Sequence, residues 1–153
     1  MYKKILAPLD GSQLAECTLA HTRAVAKGCQ VPQVVLLRVI EPIPQVADIG
    51  AELSGDWRRN AEKGAQAAAK DYLAKVADNL KKEGITAETA VVSGMPANEI
   101  LDYAKKNQVD LIVMSSHGRS GITRWVLGSV ADRVLRHSTA PVLLVSPAGC
   151  RND

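Results

Sequence analysis

The chain has 153 residues, within the roughly 100–200 of one domain. A fold of that size buries about 68–70% of the surface its unfolded chain exposes, enough for one real core. Nineteen Lys and Arg against sixteen Asp and Glu leave +3, and aromatic residues are 3% with no Phe. The charge is too mild to mark a nucleic-acid binder, and the base-stacking platforms of single-strand readers need more aromatics.

No apolar run reaches the ~18 residues of a membrane-spanning helix. The opening Met1–Leu6 reads as mature protein rather than a signal peptide, having a basic pair but only a short apolar stretch. Cys17, Cys29 and Cys150, with His21, His117 and His137, show neither a C-x-x-C nor a zinc-ligand spacing. Free thiols in a reducing cytoplasm are the expectation.

Taken in chain order, short apolar runs alternate with helical patterns. Lys4–Leu9 predicts a strand. Residues 13–28 place Leu14, Cys17, Thr18, His21, Ala24 and Val25 on one stripe, a helix with Ser12 as N-cap, Gly28 as its stop and His21 half-buried. Val34–Ile40 is a second strand, almost continuously apolar except for Arg38. Residues 60–83 predict a second helix, with Ala65, Ala68, Tyr72, Val76 and Leu80 facing the core. Thr89–Val92 is a third strand, and Pro96 opens a helix that carries Ile100, Leu101 and Ala104 on one face. Leu111–Met114 is a fourth strand. Val126, Val130, Ala131, Val134 and Leu135 mark a last helix with Arg133 and Arg136 on its solvated face, and Val142–Val145 is a fifth strand. This alternation implies βαβ crossovers and a mostly parallel sheet, with strands apolar on both faces. No linker or repeat divides residues 1–148, and 149–153 form a tail. Residues 41–59, with Pro42, Pro44, Gly50 and Gly55, read as one long connection, either a ligand lid or plain disorder.

In open α/β sheets ligands bind beyond the C-terminal strand ends, where the strand order reverses. The first strand is followed by Pro8-Leu9-Asp10-Gly11-Ser12. The fourth is followed by Ser115-Ser116-His117-Gly118-Arg119-Ser120-Gly121, and Gly128-Ser129 then opens a helix. A helix N-terminus favours an anion. Residues 115–137 hold four arginines against one aspartate, a net +3 equal to that of the whole chain. A phosphate-binding loop fits this pattern; so does a Gly/Ser loop beside an exposed basic helix face. There is no G-x-x-x-x-G-K-[ST], no G-x-G-x-x-G after the first strand and no G-x-S-x-G, which excludes the Walker-type loop, the dinucleotide fingerprint and the hydrolase nucleophile elbow. Asp10, His117 and a nearby serine have neither the order nor the spacing of a catalytic triad.

These residues resemble the universal stress protein family, in its ATP-binding branch. That branch carries Gly, two residues, Gly, nine residues, Gly, then Ser or Thr. Here the frame is Ser115-Ser116-His117-Gly118, then Arg119 to Leu127, then Gly128-Ser129. The opening lysines, the Pro8-x-Asp10 segment, Gly94-x-Pro96 and the closing Pro141–Val145 run match as well, so the resemblance spans residues 2–146. The departure is Ser115 in place of the first glycine, which adds a Cβ and a hydroxyl that would crowd the ribose or hydrogen-bond to it.

The resemblance implies an open five-stranded parallel sheet of order 3-2-1-4-5 with helices on both faces, Rossmann-like and similar to the adenine-nucleotide alpha hydrolases. It implies that Pro8, Leu9 and Asp10 line the pocket, Asp10 near the ribose or a phosphate-bound metal, and that Val39 contacts adenine. Met114 and Ser115 would close the base and ribose side. His117, Gly118 and Arg119 would meet the phosphates through loop backbone and side chains, and Gly128, Ser129, Val130 and Ala131 would present helix N–H groups to them. On the residues alone Asp10 also fits a helix cap, Val39 and Met114 fit core positions, and His117 fits a solvent-facing loop residue. The implied ligand is ATP, or ADP or AMP, with Mg²⁺ held mainly through phosphate oxygens. The implied role is a cytoplasmic, nucleotide-dependent stress-response regulator, at most a slow ATPase. A dimeric interaction module without nucleotide is the alternative, and a small-molecule kinase or ligase a distant third. The resemblance also implies a homodimer paired through Val142, Leu143, Leu144 and Val145. Trp125, just before the last helix, reads as shielding the loop or the dimer contact.

Overall fold

The computed structural model describes residues 1–44, 54–117 and 126–146. In chain order the elements are β1 (Lys4–Pro8), α1 (Gln13–Gly28), β2 (Gln33–Ile40), α2 (Ser54–Lys82), β3 (Ala87–Ser93), α3 (Pro96–Lys106), β4 (Leu111–Ser115), α4 (Ser129–His137) and β5 (Val142–Val145). All four strand pairings are parallel, in the order β3-β2-β1-β4-β5. This is the α/β sheet that the alternation and the resemblance implied.

Period-2 alternation along the buried strands supplies two cores, one on each face of the sheet. Ile5, Ala7, Val34, Leu36, Leu111 and Val113 pack with Leu19 and Ala26 of α1 and Leu73, Val76 and Leu80 of α2. Leu6, Val35, Leu37, Ile112 and Met114 turn the other way, against Ala97, Ile100 and Ala104 of α3 and Ala131 and Val134 of α4. The edge strand β3 departs from the expectation of strands apolar on both faces, because Glu88 and Thr89 are exposed.

The ladders also position the site. Between β1 and β2 the register runs from Lys4↔Gln33 to Pro8↔Leu37. Between β1 and β4 it comprises only Ile5↔Leu111 and Leu6↔Ile112. The two central strands therefore separate toward their C-terminal ends, at the point where the strand order reverses, and a crevice opens there.

Local chemistry sets the helix ends. Ser12 Oγ accepts from the Ala15 amide over 3.1 Å and caps α1. The expected stop at Gly28 is corrected: Gly28 is still helical, Cys29 is the C-cap, and the positive φ falls on Gln30. Pro96 takes the first turn of α3 as expected. Before it, Gly94 has φ +153°, and a Cβ there would lie 2.7 Å from Glu99 Cγ. Only glycine suits that turn.

Helix α2 begins at Ser54 rather than near residue 60. Its first turns have no buried residue to reveal a period; Arg59 contacts the Gly55 carbonyl and the Asp56 carboxylate there. The long connection is correspondingly shorter, and the lid reading falls on residues 45–53, outside the described residues. The stripe also shifts. Ala69 and Leu73 join Val76 and Leu80 in the core, while Ala65 and Ala68 are exposed. Leu135 and Val126, assigned to the buried stripe of the last helix, are 45% and 63% exposed. His21 is half-buried and Arg133 and Arg136 are exposed, as expected. Cys17 departs from the free-thiol expectation, since it is disulfide-bonded. Cys29 is a free, exposed thiol. No helix among the described residues is long and apolar enough to cross a membrane.

Candidate functional site

The crevice between β1 and β4 widens into a cavity of about 770 Å³ above the C-terminal strand ends, within the range of small-molecule and cofactor pockets. Pro8 and Leu9 enter it from the end of β1, and Asp10 follows. Asp10 Oδ1 accepts from the Ser12 amide over 2.9 Å, so this carboxylate is oriented by the turn into α1 while Ser12, not Asp10, caps the helix. Val39 contributes from β2, and Met114 and Ser115 from β4. Val39 packs on the α3/α4 side of the sheet and Met114 is buried beneath it. Both supply apolar wall at positions that are also core.

The opposite wall is the start of α4, where Gly128, Ser129, Val130 and Ala131 all border the cavity. Gly128 is the N-cap and brings no side chain to cap the helix. The first-turn N–H groups and the positive end of the helix dipole therefore meet the cavity without a competing side-chain acceptor at the cap. The glycine is required by close approach. Its amide donates to the Ser116 carbonyl over 2.9 Å, and a Cβ would lie 3.0 Å from that oxygen.

His117 also borders the cavity, but its ring is engaged elsewhere. Nδ1 is 2.8 Å from Ser116 Oγ and Nε2 is 2.6 Å from the Val126 carbonyl oxygen. Both ring nitrogens are thus bonded within the protein, while the residue itself stays on the cavity wall. Ser115, which stands where the family pattern has glycine, is buried, and its Oγ accepts from the His117 amide over 3.3 Å. Gly118, Arg119 and Trp125 lie outside the described residues.

Several lining residues escaped the sequence reading. Arg38 borders the cavity from β2 and donates a long, 3.4 Å bond to the Leu9 carbonyl. Its signal was present, as the one charge in a buried parallel strand. Glu41 and Ser116 border it directly beyond the ends of β2 and β4, where the strand-end rule points. Ala65, Ala68 and Tyr72 of α2 line the side nearer α1. Tyr72 Oη donates to Glu16 Oε1 over 3.1 Å. Burial first, and the Glu16 carboxylate second, push its phenol well above the usual range.

The sequence model of the universal stress protein family matches residues 1–146. The chain belongs to that family. The universal stress protein MJ0531 of Methanocaldococcus jannaschii is 35% identical over 145 residues, covering 95% of this chain and 82% of its own. The universal stress protein MJ0577 of the same organism is 33% identical, covering 95% of each chain. The solved structure of MJ0577 superimposes with a TM-score of 0.82 at 31% identity, over 100% of this chain and 99% of that one. The universal stress protein UspA from Lactobacillus plantarum gives 0.81 at 25% identity, over 94% and 97%. Two more distant structures share the fold and hold adenine nucleotides: a universal stress protein in complex with cAMP, at 21% identity and a TM-score of 0.66, and one from Archaeoglobus fulgidus in complex with dAMP, at 23% and 0.63.

In this universal stress protein the cavity residues suit a nucleotide better than a metal centre. Apolar strand ends face one wall and backbone donors the other. Among the described residues no group of three His, Cys, Asp or Glu is placed to hold a metal ion. Asp10 and Glu41 are the carboxylates that border the cavity, enough to attract a hydrated Mg²⁺ but not to cage one.

Proposed function

We propose that this universal stress protein binds ATP, with Mg²⁺ held chiefly through phosphate oxygens, and acts as a nucleotide-dependent regulator in the stress response. The observation that carries the reading is the start of α4. Its glycine cap and first-turn residues face a cavity whose other wall is made of Pro8, Leu9, Val39 and Met114. A phosphate at the helix end would place ribose and base toward the separated ends of β1 and β4. Ser115 and Asp10 would flank the ribose. Gly118 and Arg119 would complete the phosphate side, by the family spacing of their loop. The adenine nucleotides held by two structural neighbours support a ligand of this class.

Regulation suits these residues better than turnover. The His117 ring is bonded on both nitrogens, and Asp10 holds the Ser12 amide. Neither is poised as a free base for an attacking water.

Chromatography of small molecules released from freshly purified, heat-denatured protein tests the reading. Near-stoichiometric ATP or ADP supports it, and their ratio bounds hydrolysis. An empty pocket, together with no thermal shift in millimolar ATP·Mg²⁺, would overturn it in favour of an interaction module.

We also propose a homodimer paired through β5. The sheet order ends at β5, and Val142, Leu143 and Leu144 are only half-buried there. An apolar sheet edge of this kind invites pairing. Sedimentation across a tenfold dilution range should give the dimer mass; monomer throughout refutes it.

A further inference from the structure

One hydrogen bond of the His117 imidazole, from Nε2, joins the two stretches of chain that meet at the foot of α4, and the other, to the adjacent Ser116, orients the ring. A carbonyl oxygen only accepts, so the 2.6 Å contact with Val126 requires the proton on Nε2. In the neutral ring Nδ1 then accepts from the Ser116 hydroxyl at 2.8 Å. Two residues beyond Val126, the Gly128 amide bonds back to the Ser116 carbonyl over 2.9 Å. The end of β4 and the start of α4 are thus tied twice, once through backbone and once through the imidazole.

We propose that His117 is a positioning residue for the anion site. Its ring holds the N-terminus of α4 at the distance from β4 where the N–H groups of Ser129, Val130 and Ala131 converge on one phosphate. The inference rests on the nucleotide reading and gives His117 a role which that reading lacks: it acts on the ligand through Val126 and Gly128, not by touching it. The need for such a tie follows from the helix itself. Helix α4 has nine residues and no side-chain cap. Its fully buried anchors are Ala131, the third residue, and Val134, while Val130 is only partly buried against the same core. The very start of the helix, Gly128 and the exposed Ser129, lies ahead of these anchors and is positioned by the contacts of Ser116, His117 and Val126. Hydrogen bonds to an anion weaken steeply with angle, so a first turn that swings freely loses the phosphate while leaving the apolar strand ends intact.

Phosphate-dependent and phosphate-independent affinity separate this role from general damage. Wild type, His117→Ala, His117→Gln and His117→Asn are titrated calorimetrically with ATP·Mg²⁺ and with adenosine, and hydrogen exchange at the Gly128 amide is followed by NMR. Expected for His117→Ala is ATP binding weaker by about tenfold or more, with adenosine within about twofold of wild type. Exchange at Gly128 should accelerate. Glutamine places an amide N–H near the Nε2 position and should recover most of the ATP affinity; asparagine imitates only Nδ1 and should not. Unchanged ATP affinity in His117→Ala overturns the proposal, as does an equal loss of ATP and adenosine. Should His117→Ala fail to fold, equal ATP affinities for the Gln and Asn variants overturn it instead. A wild type that binds neither ligand removes the nucleotide reading and this inference with it, whereas a wild type that binds ATP no better than His117→Ala removes this inference alone.

Discussion

The Gly128 amide and the Ser116 carbonyl are 2.9 Å apart, and a Cβ added to Gly128 would lie 3.0 Å from the same oxygen and 3.4 Å from His117 Cα. The glycine adopts φ −57° and ψ 147°, which any residue tolerates. Its requirement is therefore steric: two backbones pass too closely for a side chain. Gly128→Val should cost about 1–3 kcal/mol of stability through overpacking against backbone that cannot rotate away. It should also weaken ATP by about tenfold or more, since the branched side chain stands where the phosphates approach. Thermal unfolding and calorimetry read the two effects. A folded Gly128→Val variant with wild-type ATP affinity would refute the phosphate site.

Ser115 presents the opposite case, a side chain where the family pattern has none. Its hydroxyl accepts from the His117 amide over 3.3 Å and is buried. Ser115→Gly removes that bond and loosens the backbone, so stability should fall by about 0.5–1 kcal/mol. ATP affinity should hold or rise, because the Cβ that narrows the ribose side is gone. A several-fold loss of affinity would instead mean that the hydroxyl bonds the ligand.

The sheet was legible because its signals are redundant. Each central strand is a short apolar run, Ser12 and Pro96 mark the starts of α1 and α3, and the order 3-2-1-4-5 came with the resemblance. What was not legible lacked a periodic signal or needed three dimensions. The first turns of α2 bury nothing, so their start could not be read. Ala65 and Ala68 fit a core stripe by spacing, yet they are exposed and border the cavity. Arg38 was visible as an anomaly in an apolar strand, but its place on the cavity follows only from where β2 ends. The resemblance placed His117 beside the phosphates; that its ring bonds the Val126 carbonyl, nine residues on, depends on where the chain returns.

Asp110 ties the first strand to the fourth from outside the site. Its Oδ2 accepts from the amides of Lys3 and Lys4 at 2.7 and 2.8 Å. These two bonds, Lys3 first, hold the carboxyl below the usual carboxylate range. A carboxyl whose folded pKa is depressed contributes stability above its unfolded value, about 3.9, and loses it as pH falls through the folded value. Asp110→Asn should cost about 1 kcal/mol near neutral pH, discounted because solvent reaches the group. The difference from wild type should shrink as pH falls below about 4. Paired unfolding curves at neutral and acid pH check this, and a difference that grows on acidification would contradict it.

Tyr72 and Glu16 give the matching test at alkaline pH. The phenol donates to Glu16 Oε1 over 3.1 Å and joins α2 to α1 beside the cavity. Burial, then the charge and hydrogen bond of Glu16, raise its pKa far above 10. Here the folded state prefers the protonated form. The contribution is therefore full below the unfolded value of about 10 and is lost as pH rises beyond it, when the unfolded chain ionises first. Tyr72→Phe keeps the ring and removes only the hydroxyl. It should cost about 0.5–1.5 kcal/mol at neutral pH, and its stability should fall less steeply than wild type above pH ~10. Spectrophotometric titration supplies the direct reading, because one tyrosine fewer should ionise late in the variant while the early-ionising fraction stays unchanged. If the early fraction is the one that disappears, Tyr72 is solvated in solution, and the α1–α2 tie beside the cavity is absent.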